Sequence, residues 1–247
     1  MIEKLLSEGY KLTWSEEFDK GKLDLSTWTH EIGYIRNNEL QDYTNREENI
    51  RIENNMLIIE GRNDGYGRTG YSSASIYSQG KFNWLFGCIE MRAKLPYGKG
   101  MWPAFWMMGE EGHWPACGET DILELVGGSD MSKRENDSTV FPCLHWRGAD
   151  GKHAAKGGEG FVLPDGEKYA DAFHTFAYKW TPESAEWYVD GKMYCEIDIS
   201  GAQFDAFRKP NYILLNLAIG GDWPGSPDET TIVPQQYIID YLRIYQK

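Results

Sequence analysis

Apolar and polar residues along this chain follow a period of two far more often than a helical period. Asn49-Ile50-Arg51-Ile52-Glu53 alternates, Asn54-Asn55 supplies turn chemistry, and Met56-Leu57-Ile58-Ile59-Glu60 follows as a buried strand. Residues 13–18 read as an edge strand and residues 87–95 as a strand with one polar face. Pro96-Tyr97-Gly98-Lys99-Gly100 is a turn, and the most apolar run follows it. As a strand, that run over 101–108 sends Trp102, Ala104 and Trp106 to one side. Residues 174–180 alternate, and Glu186-Trp187-Tyr188-Val189 meets Lys192-Met193-Tyr194 across Asp190-Gly191, a type I′ hairpin signal. Residues 211–219 and 237–245 are the last two strands. A turn or two of helix is expected only at 182–185.

Two stretches depart from this rhythm. Residues 127–166 are polar and glycine-rich, and predict long loops around one short strand at 139–146. Gly65-Tyr66-Gly67-Arg68-Thr69-Gly70 matches the G-x-G-x-x-G dinucleotide fingerprint, which must open a helix. Here it leads into residues 71–78, of strand composition, so the nucleotide reading is rejected in favour of a flexible loop. No linker or repeat interrupts the 247 residues. The chain therefore reads as one all-β domain spanning 1–247, a sandwich or barrel with ample length for a core.

Composition narrows the partners. A net charge of -13 argues against nucleic acid, anionic membranes and polyanionic polysaccharides, and leaves a neutral polymer as the better fit. Ten tryptophans and fifteen tyrosines are plentiful; most belong in a core, and the remainder offer flat apolar platforms with polar edges. Cys88, Cys117, Cys143 and Cys195 are too scattered for a zinc or redox motif, so free thiols are expected. No apolar run is long enough to span a bilayer, and the first six residues are too short and polar for a signal peptide.

The chemistry concentrates at Gly118-Glu119-Thr120-Asp121-Ile122-Leu123-Glu124-Leu125. Three carboxylates fall within six residues, and no Lys or Arg occurs between Gly100 and Ser132. In a regular strand Glu119 and Asp121 share a face while Glu124 turns away. One β-bulge returns Glu124 to their side, which allows the roughly 5–5.5 Å carboxyl separation of retaining glycosidases. Like charges so close raise at least one pKa, leaving one glutamic acid protonated as an acid and its partner an anion able to attack a sugar. A solvated edge strand and a divalent-metal site are the competing readings of the same acids. Ile122, Leu123, Leu125 and Val126 speak for a strand packed on one side. Neither a G-x-S-x-G elbow nor an H-E-x-x-H helix is present.

These residues resemble glycoside hydrolase family 16, in particular its laminarinase-like endo-β-1,3-glucanases. The likeness runs from Trp14-Ser15-Glu16-Glu17-Phe18 through Asn37-Asn38-Glu39-Leu40-Gln41 and Trp102-Pro103-Ala104-Phe105-Trp106 to the acid motif. It continues in Asn216-Leu217-Ala218-Ile219-Gly220-Gly221, Trp223-Pro224-Gly225 and Asp240-Tyr241-Leu242-Arg243-Ile244-Tyr245. The resemblance implies a β-jelly-roll sandwich of two antiparallel sheets with a concave substrate cleft. It implies a retaining double displacement with Glu119 as nucleophile, Glu124 as acid/base and Asp121 orienting them. Asn38, Trp102, Trp106, Trp114, His145, Asn216 and Trp223 would line the sugar subsites. No catalytic cofactor is implied. A structural Ca²⁺ is, held by the Glu17 and Asn54 carbonyls and the Asp240 carboxylate.

Thr120 stands where relatives carry an aliphatic residue, Ser75 where many carry an arginine reaching the sugar, and Asp42 where an aromatic is common. The resulting expectation is a secreted, monomeric endo-β-glucanase cutting β-1,3 linkages of laminarin-type or mixed-linkage glucan. A relative acting on agarose or a galactan, and a catalytically silent carbohydrate-binding module, are the alternatives.

Overall fold

In the computed structural model, which describes residues 1–130 and 134–247, the alternating stretches become strands. In chain order these are β1 (Lys11–Glu16), β2 (Thr29–His30), β3 (Asp42–Tyr43), β4 (Ile50–Glu53), β5 (Met56–Tyr66), β6 (Gly70–Ser73), β7 (Ser75–Tyr77), β8 (Gly87–Lys94) and β9 (Met101–Gly109). The second half adds β10 (Glu119–Glu124), β11 (Thr139–Arg147), β12 (His153–Gly157), β13 (Phe161–Val162), β14 (His174–Trp180), β15 (Ser184–Val189), β16 (Lys192–Asp198), β17 (Asn211–Ile219) and β18 (Gln235–Gln246). A short helix, α1 (Ile2–Ser7), precedes them and buries Leu5 beside Tyr10, Cys88 and Tyr245 on the outer face of one sheet.

Ten strands make that sheet, in the order β16-β15-β14-β8-β18-β5-β6-β3, with β1 on β18 and β4 on β5. Eight make the other, in the order β12-β11-β10-β9-β17-β7-β2, with β13 on β11. The strands pair antiparallel, apart from a short parallel contact of β3 with β6. Residues 71–78, expected as one strand, divide at fully buried Ala74, where the chain leaves the first sheet as β6 and joins the second as β7.

The sheets close on one core, and the central strands show how. Ile213, Leu215, Leu217 and Ile219 of β17 join Met101, Phe105 and Met107 of β9 in that core. Their neighbours Tyr212 and Leu214 pack with Ala104 and Trp106 in a separate cluster on the opposite face. One face of these strands thus packs in the core, while the other carries aromatic and aliphatic side chains of its own, which accounts for their strongly apolar sequence.

Two turns match their residue chemistry. Asn54 and Asn55 have φ of 53° and 57°, Asp190 and Gly191 of 48° and 75°, the left-handed pairs that a type I′ hairpin requires. The G-x-G-x-x-G segment is also a hairpin turn, between β5 and β6 and with no helix after it. Gly67 is required there, because a Cβ would come 2.0 Å from the Asp42 carboxylate.

Two expectations are corrected. Residues 127–166 hold β12 and β13 besides the anticipated strand, since pairing with β11 recruits sequence of weak strand propensity. Residues 182–185 form a bend running straight into β15 rather than a helix. Among the described residues the helical turns are instead α1 and short 3₁₀ segments at Pro164–Gly166 and Ala202–Arg208. All four cysteines are free thiols, as expected.

Candidate active site

The site is built on a defect in β10. Against β9, Glu119 faces Met108, Asp121 faces Trp106, Leu123 faces Phe105 and Glu124 faces Ala104. Between Asp121 and Leu123 two residues of β10 are matched by one step of β9, and pairing with β11 shifts at the same place. This is the anticipated bulge. It lets Ile122 and Leu123, both in the core, point inward in succession. Burying each contributes about 1.5–3 kcal/mol, which regular alternation would forfeit for one of them. The Trp187 indole, from the opposite sheet, donates to the Asp121 carbonyl at 2.9 Å and ties the bulge to the core. Thr120 is buried beneath the acids and leaves their placement intact.

Register then fixes what each acid meets. Residues 104, 106 and 108 of β9 share the face of Trp102, and Phe141, Cys143 and His145 of β11 lie opposite Glu124, Asp121 and Glu119. The acids are therefore flanked by a methyl group, an indole, a thioether, a phenyl ring, a thiol and one imidazole. Among the described residues His145 is the only basic side chain within ion-pair distance of them, its Nε2 lying 3.1 Å from Asp121 Oδ2 and 3.8 Å from Glu119 Oε1. Trp102 donates its indole N–H to Glu124 at 3.0 Å.

The protonation pattern follows from these neighbours. Burial first, and then the charge of Asp121, push Glu119 up to about 8, with His145 and the Trp114 indole opposing. Burial likewise raises Asp121. Glu124 is raised well above the ordinary carboxylate range by burial and then by the charges of Asp121 and Glu119. Both other acids raise Glu124 against the opposition of His145 and the Trp102 indole, whereas Asp121 alone among the acids raises Glu119. Glu124 is thus the group that keeps its proton longest.

The cleft over these acids has a volume of about 1010 Å³ and is lined by Trp102, Trp106, Trp114, His145, Asn216 and Trp223, six of the seven residues expected at sugar subsites. Asn38 does not line it. Its side chain donates to Asp222 at 2.9 Å, and the adjacent Asn37 faces the cleft instead. Trp102 and Trp223 stand edge to face at 5.8 Å. Trp106 donates to Asn216 at 2.8 Å, Asn216 to the Tyr43 hydroxyl at 3.0 Å, and Tyr43 to buried Glu39 at 3.2 Å. This chain of side chains locks the indole that faces Asp121.

Arg36, His153 and Phe141 also line the cleft. The sequence reading did not single them out, although alternation along β11 places Phe141 with His145. The Arg36 guanidinium lies over Trp106, 5.1 Å from the ring centre, and pairs with Glu31, which also accepts from Ser75 at 2.6 Å. Ser75, noted as a departure, thus anchors an arginine that reaches the cleft from another part of the chain. Asp42 accepts from the Arg68 amide at 2.8 Å.

The set expected around a calcium ion comprises two carbonyls and one carboxylate. Asp240 Oδ2 accepts from Arg92 at 2.5 Å, the Glu17 carboxylate pairs with Arg243 at 2.8 Å, and Asn54 sits in its hairpin turn. The one charged donor of that set is shared with an arginine and the others are neutral carbonyls. Tight calcium loops draw on several carboxylates, whereas this set offers one, engaged by Arg92.

A jelly-roll sandwich with strand-borne acids at the floor of an aromatic-lined cleft defines a polysaccharide hydrolase of the two-carboxylate class. The chain belongs to the glycosyl hydrolases family 16, whose family model matches residues 36–243. It is 34% identical over 254 residues to a beta-glucanase of Rhodothermus marinus, covering 96% of this chain and 85% of that one. It is 32% identical to the glucan endo-1,3-beta-glucosidase A1 of Niallia circulans, spanning 38% of that longer protein. The laminarinase catalytic domain of Thermotoga maritima superposes with a TM-score of 0.83 at 39% identity, over 96% of this chain and 98% of that domain.

Proposed function

We propose that the protein is a retaining endo-β-glucanase cutting β-1,3-glucosidic linkages of laminarin-type or mixed-linkage glucans. One observation carries the reading. The bulge in β10 brings Glu119 and Glu124 to the same cleft face, with Glu124 the better proton holder. In the first step Glu119 attacks the anomeric carbon as Glu124 gives its proton to the departing glycosidic oxygen, leaving a glycosyl ester on Glu119. Glu124, now an anion, then takes a proton from water as that water attacks the same carbon and frees Glu119. Two inversions return the original configuration. Asp121 and His145 hold Glu119 in place, and the tryptophans supply faces for neutral sugar rings.

The test is release of reducing ends from laminarin, mixed-linkage β-glucan, agarose and a galactan, with Glu119→Ala alongside. Laminarin should be cut to products of β configuration, agarose should be untouched, and Glu119→Ala should fall to background while still binding oligosaccharide. Wild-type turnover by that variant would refute the role of Glu119. Failure on every glucan would point to a carbohydrate-binding module.

A further inference from the structure

The double displacement uses no thiol, yet one lies among the acids. Asp121, Cys143 and His145 bring a carboxylate oxygen, a sulfur and an imidazole nitrogen within 4.8 Å of one another. We infer that these three side chains form a binding site for a soft divalent transition metal of the zinc kind, and that its occupation switches the hydrolase off.

Asp121 is 3% exposed, and its Oδ2 has no hydrogen-bond partner among the described residues although it is aimed at the cluster. A buried carboxylate oxygen left so is costly unless a cation or proton reaches it. His145 presents Nε2 to that oxygen at 3.1 Å, while its Nδ1 lies 2.8 Å from His153 Nε2, the rings stacked at 5.0 Å. With the shared proton on Nδ1, Nε2 is left as a bare lone pair. Zinc-bound histidines are oriented in this way by a second acceptor. Glu119 Oε1, 3.8 Å from Nε2, stands beside this three-donor cluster.

Tetrahedral zinc holds such donors roughly 3.5 Å apart, so side-chain rotations closing the cluster by about 1 Å suffice. Thiolate and imidazole favour zinc-like ions over calcium and magnesium. Binding exchanges the Cys143 S–H bond for a sulfur–metal bond and sends the proton to solvent. The bound ion takes Asp121 and His145, the side chains that hold Glu119, and sets its charge beside the attacking carboxylate, so catalysis stops without any change of fold.

Isothermal titration with Zn²⁺, and absorption spectra with Co²⁺, read occupancy without substrate. The wild type should bind one zinc per chain and give a near-ultraviolet thiolate-to-cobalt band. Cys143→Ser should lose the band and bind zinc at least about tenfold more weakly, that being the smallest loss expected even from outer partners of a metal site. Cys195→Ser, altered outside the cleft lining, should keep both. Zinc should inhibit laminarin cleavage in proportion to occupancy, with Ca²⁺ and Mg²⁺ inert. The inference is overturned if wild type gives no band, if Cys143→Ser binds zinc equally well, or if Ca²⁺ competes with zinc on equal terms. The wild-type spectrum stands even if the variant misfolds, and none of the binding results depends on which glucan is cut.

Discussion

Glu17 and Glu119 are the same residue type on the two sides of this sandwich, and their surroundings push them in opposite directions. Glu17, just past β1, receives both arms of the Arg243 guanidinium at 2.8 Å, and that hydrogen bonding lowers its pKa despite partial burial. Its neighbourhood repeats the arrangement, with Glu60 between Arg51 and Arg62 and Asp240 against Arg92. Glu119 faces Met108 and His145, its near neighbours are more acids, and it is driven upward by burial. The outer sheet matches each of these acids to an arginine, whereas the cleft sheet withholds one. Cross-strand register makes that choice, and the bulge extends it to Glu124.

The strongest way to probe the contrast is to remove the proton that the cleft retains. Glu124→Gln keeps size and polarity but cannot protonate the leaving oxygen. Turnover of laminarin should drop by about 10³-fold, within the usual range for a lost general acid. An aryl glucoside whose leaving group needs no proton should lose far less in its first, glycosylating step, seen as a burst of aryl alcohol. Equal losses on both substrates would reassign the acid.

A milder intervention imports the rule of the outer sheet. Ala104 lies directly opposite Glu124, so Ala104→Lys places an ammonium beside it. An opposite charge at such range lowers a carboxylate pKa by about 1–3 units. Activity requires Glu119 ionised and Glu124 protonated, so the alkaline limb of the kcat/KM profile should move to lower pH by at least one unit. Ala104→Met, with a similar stem and no charge, controls for crowding and should leave the limb in place.

How much of this contrast is written in the chain differs between its halves. The acids, the absence of nearby cations, and even the bulge follow from Glu119 to Leu125, because two consecutive buried aliphatics cannot both face inward on a regular strand. The aromatic face of β9 follows from its alternation. Partners that arrive from distant strands do not. Ser75 and Arg36 meet only through Glu31, His153 reaches His145 through a strand of weak propensity, and the side chain of Asn38 turns to Asp222, 184 positions away. Local sequence carries face and register; which long-range polar groups complete a site is decided by packing of the whole fold.

Stability against pH supplies the most discriminating test. Glu119 holds its proton more tightly folded than unfolded, its pKa moving from the ordinary glutamate value of about 4.3 to about 8. Its contribution is fully present below about pH 4.3 and is lost as pH rises through about 8. Glu17, with its pKa lowered, behaves in reverse: its contribution is present above about 4.3 and disappears on acidification through its folded value. Glu119→Gln, which cannot ionise, should therefore melt higher than wild type at pH 8, by a margin on the order of 5 kcal/mol that narrows to about 1 kcal/mol by pH 5. Arg243→Met should instead melt lower at pH 7, by no more than about 0.5 kcal/mol because the pair is about one-third exposed, with the gap closing below pH 4. Thermal melts of the three proteins from pH 3.5 to 8 would show opposite slopes for the two variants relative to wild type. Parallel curves would mean that the acids of the two sheets obey one rule after all.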